Sequence, residues 1–187
     1  MKCAYPQRIK GEFVNLLPLR KFEGPISLVE TPEQLEEALK EIESERILGF
    51  DTETRPCFKK GMQHSVAILQ LASENKAWIF RLIPLKDHLE RLYKEVLANP
   101  EIKKVGLAVN GDIRVLKKLC NFNAAGFDEI SKYTQKIGII NTGMKNLCGA
   151  ILGIKISKSA QMSNWESDIL TQKQLDYAAT DAWIGLE

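Results

Sequence analysis

Cysteine is sparse in this chain of 187 residues, and Cys3, Cys57, Cys120 and Cys148 form neither a C-x-x-C pair nor a Cys/His cluster. This argues against a zinc ribbon or a thioredoxin-like redox motif and for reduced thiols in a cytosolic setting. Histidine is rarer still, with only His64 and His88. Any metal chemistry would therefore rest on carboxylates, whose oxygens favour Mg²⁺ or Mn²⁺ over zinc. No apolar run approaches the roughly 18 residues of a bilayer span, and the N-terminal MKCAYPQRIKGEF has no apolar signal core, so a cytoplasmic protein with no membrane partner is expected. A Gly-rich phosphate loop is also missing, which leaves no cofactor to expect beyond metals. No repeat, low-complexity tract or Gly/Ser/Pro linker divides the chain.

What is present describes one globular domain: 44% hydrophobic residues, 27% charged, 12 Gly and 7 Pro. The formal charge of +2 identifies no partner, but its distribution is uneven. Residues 102–165 hold ten Lys/Arg against three acids (Asp112, Asp128, Glu129), a net of +7, and the remainder is −5. From Ser131 to Trp165 there are five lysines and no acid. Such a stretch is either a solvated basic face or a flank that binds phosphates.

Residues 1–25, with Pro6, Pro18 and Pro25, read as an irregular arm laid against a body formed by residues 26–187. Residues 26–29 suit a short strand, and Thr31 and Pro32 suit the cap and first position of a helix that buries Leu35, Ala38, Leu39 and Ile42. Strands are expected at residues 46–51, 64–73 and 76–82, the last two forming a hairpin around Glu74 and Asn75. Three strands in close succession suggest an antiparallel meander. Helical spacing at 88–99, an apolar strand at 103–109 and a helix at 112–120 return the chain to strand and helix alternation, as in a mixed α/β sheet covered by helices. Further helices are expected within 143–152 and from Gln172 to about Leu186, the latter opened by Thr171 and Gln174 as a near capping box.

Carboxylates fall at three informative places. Asp51 and Glu53 end an apolar strand, and a spacing of two puts both on one face. They would raise each other's pKa unless a cation lay between them; taken alone, the pair reads first as an exposed polar strand end and only second as a metal site. Asp112 follows Val109-Asn-Gly111 where a strand gives way to a helix, with Gly111 suited to a tight turn and the acid suited to a helix cap. Tyr177 and Asp181 share one face of the last helix, with Ala178 and Ala179 between them leaving room for close approach. A hydrogen-bonded surface pair is the alternative there.

Taken in order, Asp51-x-Glu53, Asp112 and Tyr177-x-x-x-Asp181 resemble the three motifs of the DnaQ-like 3′-to-5′ exonucleases, in the subgroup with Tyr in the third motif. The flanks strengthen the match: Ser65-Val-Ala-Ile-Leu-Gln-Leu-Ala72, Ser163-Asn-Trp165 and Gln174-Leu-Asp-Tyr-Ala-Ala-Thr-Asp-Ala182. Within that family the sequence is most similar to Werner-syndrome-type exonuclease domains and the ribonuclease D catalytic domain, over about residues 26–186. It departs from them at Phe127-Asp128-Glu129-Ile130, where relatives commonly carry an Asp-Thr pair. The chain also stops six residues past Asp181, as a fragment of a longer protein would.

The resemblance implies an α/β fold of ribonuclease H type, a mixed sheet of antiparallel meander and parallel strands flanked by helices. It also implies hydrolysis at a nucleic acid 3′ end, DNA favoured over RNA, to release nucleoside 5′-monophosphates. Two divalent cations, Mg²⁺ or Mn²⁺, about 3.5 to 4 Å apart would neutralise the phosphate, activate water and stabilise the leaving oxyanion. By the same resemblance Asp51 would bridge both, Glu53 and Asp181 would complete the first site, and Asp112 would hold the second, partly through water. Tyr177 would orient the attacking water, since a phenol with a pKa near 10 is a poor base at neutral pH. Arg114 and Lys158 are candidate phosphate contacts, and Phe58 and Met62 could stack or wedge the terminal base. Trp165 is expected to be structural, its N–H finding a backbone partner, and His64 to begin a strand and bind nothing. Ribonuclease D-like RNA trimming and a non-catalytic nucleic-acid-binding module are the competing functions.

Overall fold

The computed structural model describes residues 5–57, 64–140 and 143–187. Its elements in chain order are α1 (Gly11–Leu16), β1 (Ile26–Val29), α2 (Pro32–Ile42), β2 (Ile47–Thr54), β3 (Val66–Ala72), β4 (Ala77–Arg81), α3 (Leu92–Leu97), β5 (Lys103–Gly106), α4 (Val109–Leu116), β6 (Phe127–Glu129), α5 (Ile130–Lys136), α6 (Met144–Leu147), α7 (Cys148–Leu152) and α8 (Gln172–Trp183). The six strands form one sheet in the order β1-β4-β3-β2-β5-β6. The expected meander is there, with β2, β3 and β4 antiparallel; β1 on β4, β5 on β2 and β6 on β5 are parallel. Among the described residues no helix is long and apolar enough to cross a membrane.

Strand alternation divides the interior into two apolar layers. Leu48 and Phe50 of β2, with Leu69 and Leu71 of β3, face a core closed by Leu35, Leu39 and Ile42 of α2 and by Leu92, Val96 and Leu97 of α3. Ile68 and Ala72 of β3, with Ala77 and Ile79 of β4, face a second layer under Ala178, Ala179 and Ala182 of α8. Both capping boxes form: the Thr31 and Thr171 side chains accept from the Gln34 and Gln174 backbone N–H groups, and each glutamine side chain closes back on the threonine N–H.

Other boundaries move for identifiable reasons. The arm is not wholly irregular, because residues 11–16 wind into α1, whose Val14 is fully buried. The helix expected at 88–99 is wound with π-type turns at Leu92–Leu97. The strand expected to reach Val109 stops at Gly106, and Ala108 takes a left-handed conformation (φ 63°) that turns the chain into α4 at once. Gly111 therefore lies inside the helix rather than in a turn. Lys104 of β5 is fully buried on the α3 side, where its Nζ donates to the carbonyls of Val96 (2.8 Å), Asn99 (2.7 Å) and Ile102 (2.6 Å). Burial pulls its pKa down to about 8, while the three acceptors satisfy all the protons of the ammonium.

Candidate active site

β2 runs on through Asp51 to Thr54, so Asp51 and Glu53 leave the same face of the sheet, and a register shift between Glu53 and Thr54 bends the strand beside them. The helix covering that face is α8, and its approach depends on Gly49: a Cβ there would stand 1.9 Å from the Ala182 carbonyl oxygen. No other residue type permits that contact. Close docking brings the buried Tyr177 and Asp181, one turn apart, down onto the β2 carboxylates. One carboxylate oxygen from each of Asp51, Glu53 and Asp181 lies within 4.8 Å of the others.

Asp112 arrives from the other side. Both oxygens of the buried Glu129 accept from the start of α4, Oε1 from Ala108 N and Oε2 from Val109 N (3.0 Å each), and Oε1 also takes Ser131 N at 3.1 Å. One carboxylate thus caps α4 and α5 and fixes where α4 begins. In its first turn Asp112 accepts from the Thr52 hydroxyl at 2.5 Å. It lines a second hollow, which Glu53 also borders, and lies near enough to Asp51 to act on its carboxyl.

Two hollows make up the cleft. One, of about 440 Å³, is walled by Asp51, Glu53, Tyr177 and Asp181 with Lys145 and Lys158; the other, of about 730 Å³, by Asp112, Arg114, Lys118, Cys57 and Met162. Thr52, Glu53 and Gln161 belong to both, which makes the cleft continuous. Lys158 enters the first with its Nζ 2.8 Å from Asp181 Oδ2, 3.4 Å from the Tyr177 hydroxyl and 5.2 Å from the Tyr177 ring centroid.

The electrostatics are those of a site short of positive charge. Withdrawal from water, with Asp181 and Asp112 nearby, raises the Asp51 carboxyl well above its usual range. Withdrawal, then Asp51 and Asp181, pushes Glu53 up to about 9. Desolvation pushes Asp112 up to about 6. The Tyr177 phenol is raised, first by burial and then by Asp181 and Glu53, so it holds its proton more firmly than a free phenol and offers no phenolate at neutral pH. Asp181 Oδ1 is buried with no hydrogen-bond partner among the described residues. A set of hard carboxylate oxygens, one of them orphaned, fits a divalent cation.

Residues 26–187 match the model of the 3′-5′ exonuclease family. The chain belongs to that family. Of mouse "Bifunctional 3'-5' exonuclease/ATP-dependent helicase WRN" it shares 34% identity over 145 residues, covering 75% of this chain and 10% of that one. The solved Aedes aegypti Nibbler EXO domain superposes with a TM-score of 0.81 at 22% identity, covering 89% of this chain and 88% of that one. A Trypanosoma brucei RNase D solved with RNA U12 gives a TM-score of 0.77 at 20% identity, covering 88% and 61%. The fold is therefore that of the ribonuclease H-like exonuclease domains, and the chain is a nuclease domain of the hydrolase class. It spans 10% of the length of that mouse protein and 31% of the Drosophila melanogaster "Exonuclease 3'-5' domain-containing protein 2".

The structure brings Asp51, Glu53, Asp112, Tyr177, Asp181, Lys158 and Arg114 to one cleft. Phe58 and Met62 lie outside the described residues. Two expectations fail. His64 precedes β3 rather than joining it, and its Nδ1 lies 3.2 Å from Glu166 Oε1 while Arg55 holds Oε2 at 3.1 Å. Trp165 is buried against Tyr177, ring centroids 5.8 Å apart, but its Nε1 has no hydrogen-bond partner among the described residues. Asp128 bonds the Tyr133 hydroxyl at the surface, while Glu129 next to it performs the capping. Thr52, Lys145, Gln161 and Glu129 were not singled out by sequence, since only packing shows what they touch.

Proposed function

We propose that this domain hydrolyses phosphodiester bonds at the 3′ end of a nucleic acid, DNA in preference to RNA, releasing nucleoside 5′-monophosphates. The observation that carries the reading is the convergence of Asp51, Glu53 and Asp181 around an orphaned carboxylate oxygen, with Tyr177 against them. Asp51, Glu53 and Asp181 would hold one divalent cation, and Asp51 with Asp112 a second, Mg²⁺ or Mn²⁺ in each case. Such cations neutralise phosphate charge and lower the pKa of water toward neutrality.

The chain's own groups do the rest. Tyr177 keeps its proton throughout the working pH range and orients the attacking water through its hydroxyl. Lys158, anchored on Asp181, is placed to meet the scissile phosphate. Arg114 and Lys118, both on the second hollow, suit the phosphates of the nucleotides that follow. Ser163-Asn-Trp165, which resembles the corresponding segment of Werner-syndrome-type domains, favours DNA. The RNA variant of the same reaction differs by a contact to the 2′-hydroxyl.

Matched 5′-labelled DNA and RNA oligonucleotides, incubated with Mg²⁺, Mn²⁺ or EDTA, test the reading. A metal-dependent ladder shortening from the 3′ end, stronger on DNA, is expected. Preferential shortening of RNA would reverse the substrate assignment. Oligonucleotide binding with no ladder in any metal would make the domain a binding module.

A further inference from the structure

Gln70 sits in the middle of β3 with its side chain fully enclosed, at 0% exposure, yet neither Nε2 nor Oε1 has a hydrogen-bond partner among the described residues. An amide in that state is costly, and an apolar side chain of similar volume would avoid the penalty. Its surroundings indicate what it serves. Gln70 is on the α8 face of the sheet; along its own strand it is flanked by Ile68 and Ala72, and across the β4 register by Ile79. Across the β2 register it is paired with Asp51. Of these four flanking positions, Asp51 alone is polar.

We infer that Gln70 is a positioning residue for Asp51: its amide N–H donates to the Asp51 carboxylate when that group is drawn into metal coordination, fixing the carboxylate plane from the strand behind it. Cross-strand partners have Cβ atoms about 4.5–5.5 Å apart, within reach of a glutamine amide. Thr52 N already holds Asp51 Oδ1 at 2.9 Å from the strand's own backbone, so a donor from β3 would fix the group from a second direction. Outer groups of this kind commonly change metal affinity about 10- to 100-fold when removed. The inference rests on the metal-dependent reading above and adds a residue that none of the three motifs contains.

The test is Gln70→Met, with Gln70→Asn as the variant that keeps an amide. Three quantities are read on the whole chain: Mn²⁺ affinity by calorimetry, melting temperature without metal, and kcat and KM on a 5′-labelled oligonucleotide. Gln70→Met is expected to bind Mn²⁺ about tenfold more weakly and to lose kcat with KM unchanged, while melting no lower than the native chain. Gln70→Asn should recover part of the affinity. Native-like Mn²⁺ affinity in Gln70→Met would overturn the inference alone, as would a marked drop in its metal-free melting temperature, which would mean that the amide has a partner within the fold. Failure of the native chain itself to bind Mn²⁺ would overturn the metal-dependent reading and this inference together.

Discussion

The two faces of the sheet differ in the polar groups they leave without partners. On the face covered by α2 and α3, Lys104 is enclosed but donates to three backbone carbonyls. On the face covered by α8, Arg81 is satisfied in the same way by Glu30 and the carbonyls of Ser167 and Asp168, but the Gln70 amide, Trp165 Nε1 and Asp181 Oδ1 are enclosed without partners among the described residues, beside two carboxylates whose pKa values are raised. A satisfied buried charge belongs to the fold. An unsatisfied group calls for an explanation, and beside a cluster of carboxylates a bound cation supplies one. The first face is therefore the stabilising half of the molecule, and the second holds the chemistry.

Mutations should separate the halves, and Asp51→Asn is expected to have the largest effect. It should reduce exonuclease activity by on the order of 10³-fold or more, measured on a 5′-labelled oligonucleotide, without lowering the metal-free melting temperature, because it removes a charge from a repelling cluster. A marked loss of stability would contradict the division. Lys104→Met should do the reverse: leaving three carbonyls unpaired should cost about 2 to 4 kcal/mol in urea denaturation, while activity per folded molecule is kept. Tyr177→Phe should lower kcat about 10- to 100-fold and leave KM alone; activity as low as that of Asp51→Asn would refute positioning as its role.

Acidity gives a subtler contrast. Glu53 titrates near 9 in the folded chain against 4.5 as a free side chain, so the folded state binds its proton more tightly than the unfolded one. The stabilisation it contributes is complete below about 4.5 and is lost as pH rises through 9. Metal-free melting temperatures should therefore fall across that window, and Glu53→Gln should flatten the fall. An identical pH profile in the variant would show that Glu53 is not held in that state. Smallest of all, Arg114→Ala should raise KM by about two- to fivefold and reduce the salt dependence of binding, with kcat unchanged.

Much of this was legible in the sequence because the signals are local. Thr31 with Pro32 and Thr171 with Gln174 marked both well-capped helices, and the spacings of Asp51 and Glu53 and of Tyr177 and Asp181 marked their shared faces. The contacts that were not legible span the chain. Glu129 reaches back to the start of α4, and Glu166 gathers Arg55 and His64. The early end of β5 depends on a left-handed Ala108, a conformation that alanine does not signal. Gln70 reads as one more polar residue in an apolar strand until the β2–β3 register sets it opposite Asp51.

The central claim is that divalent cations complete the α8 face. Calorimetric titration of Mn²⁺ into the chain at pH 7, in two buffers of different ionisation enthalpy, tests it most directly because it reads both binding and protons. The account predicts binding that releases protons, since Glu53, pushed up to about 9, carries its proton at that pH and must give it up to a metal, and loss of that binding in Asp51→Asn. No binding, or binding without proton release that survives Asp51→Asn, would contradict it.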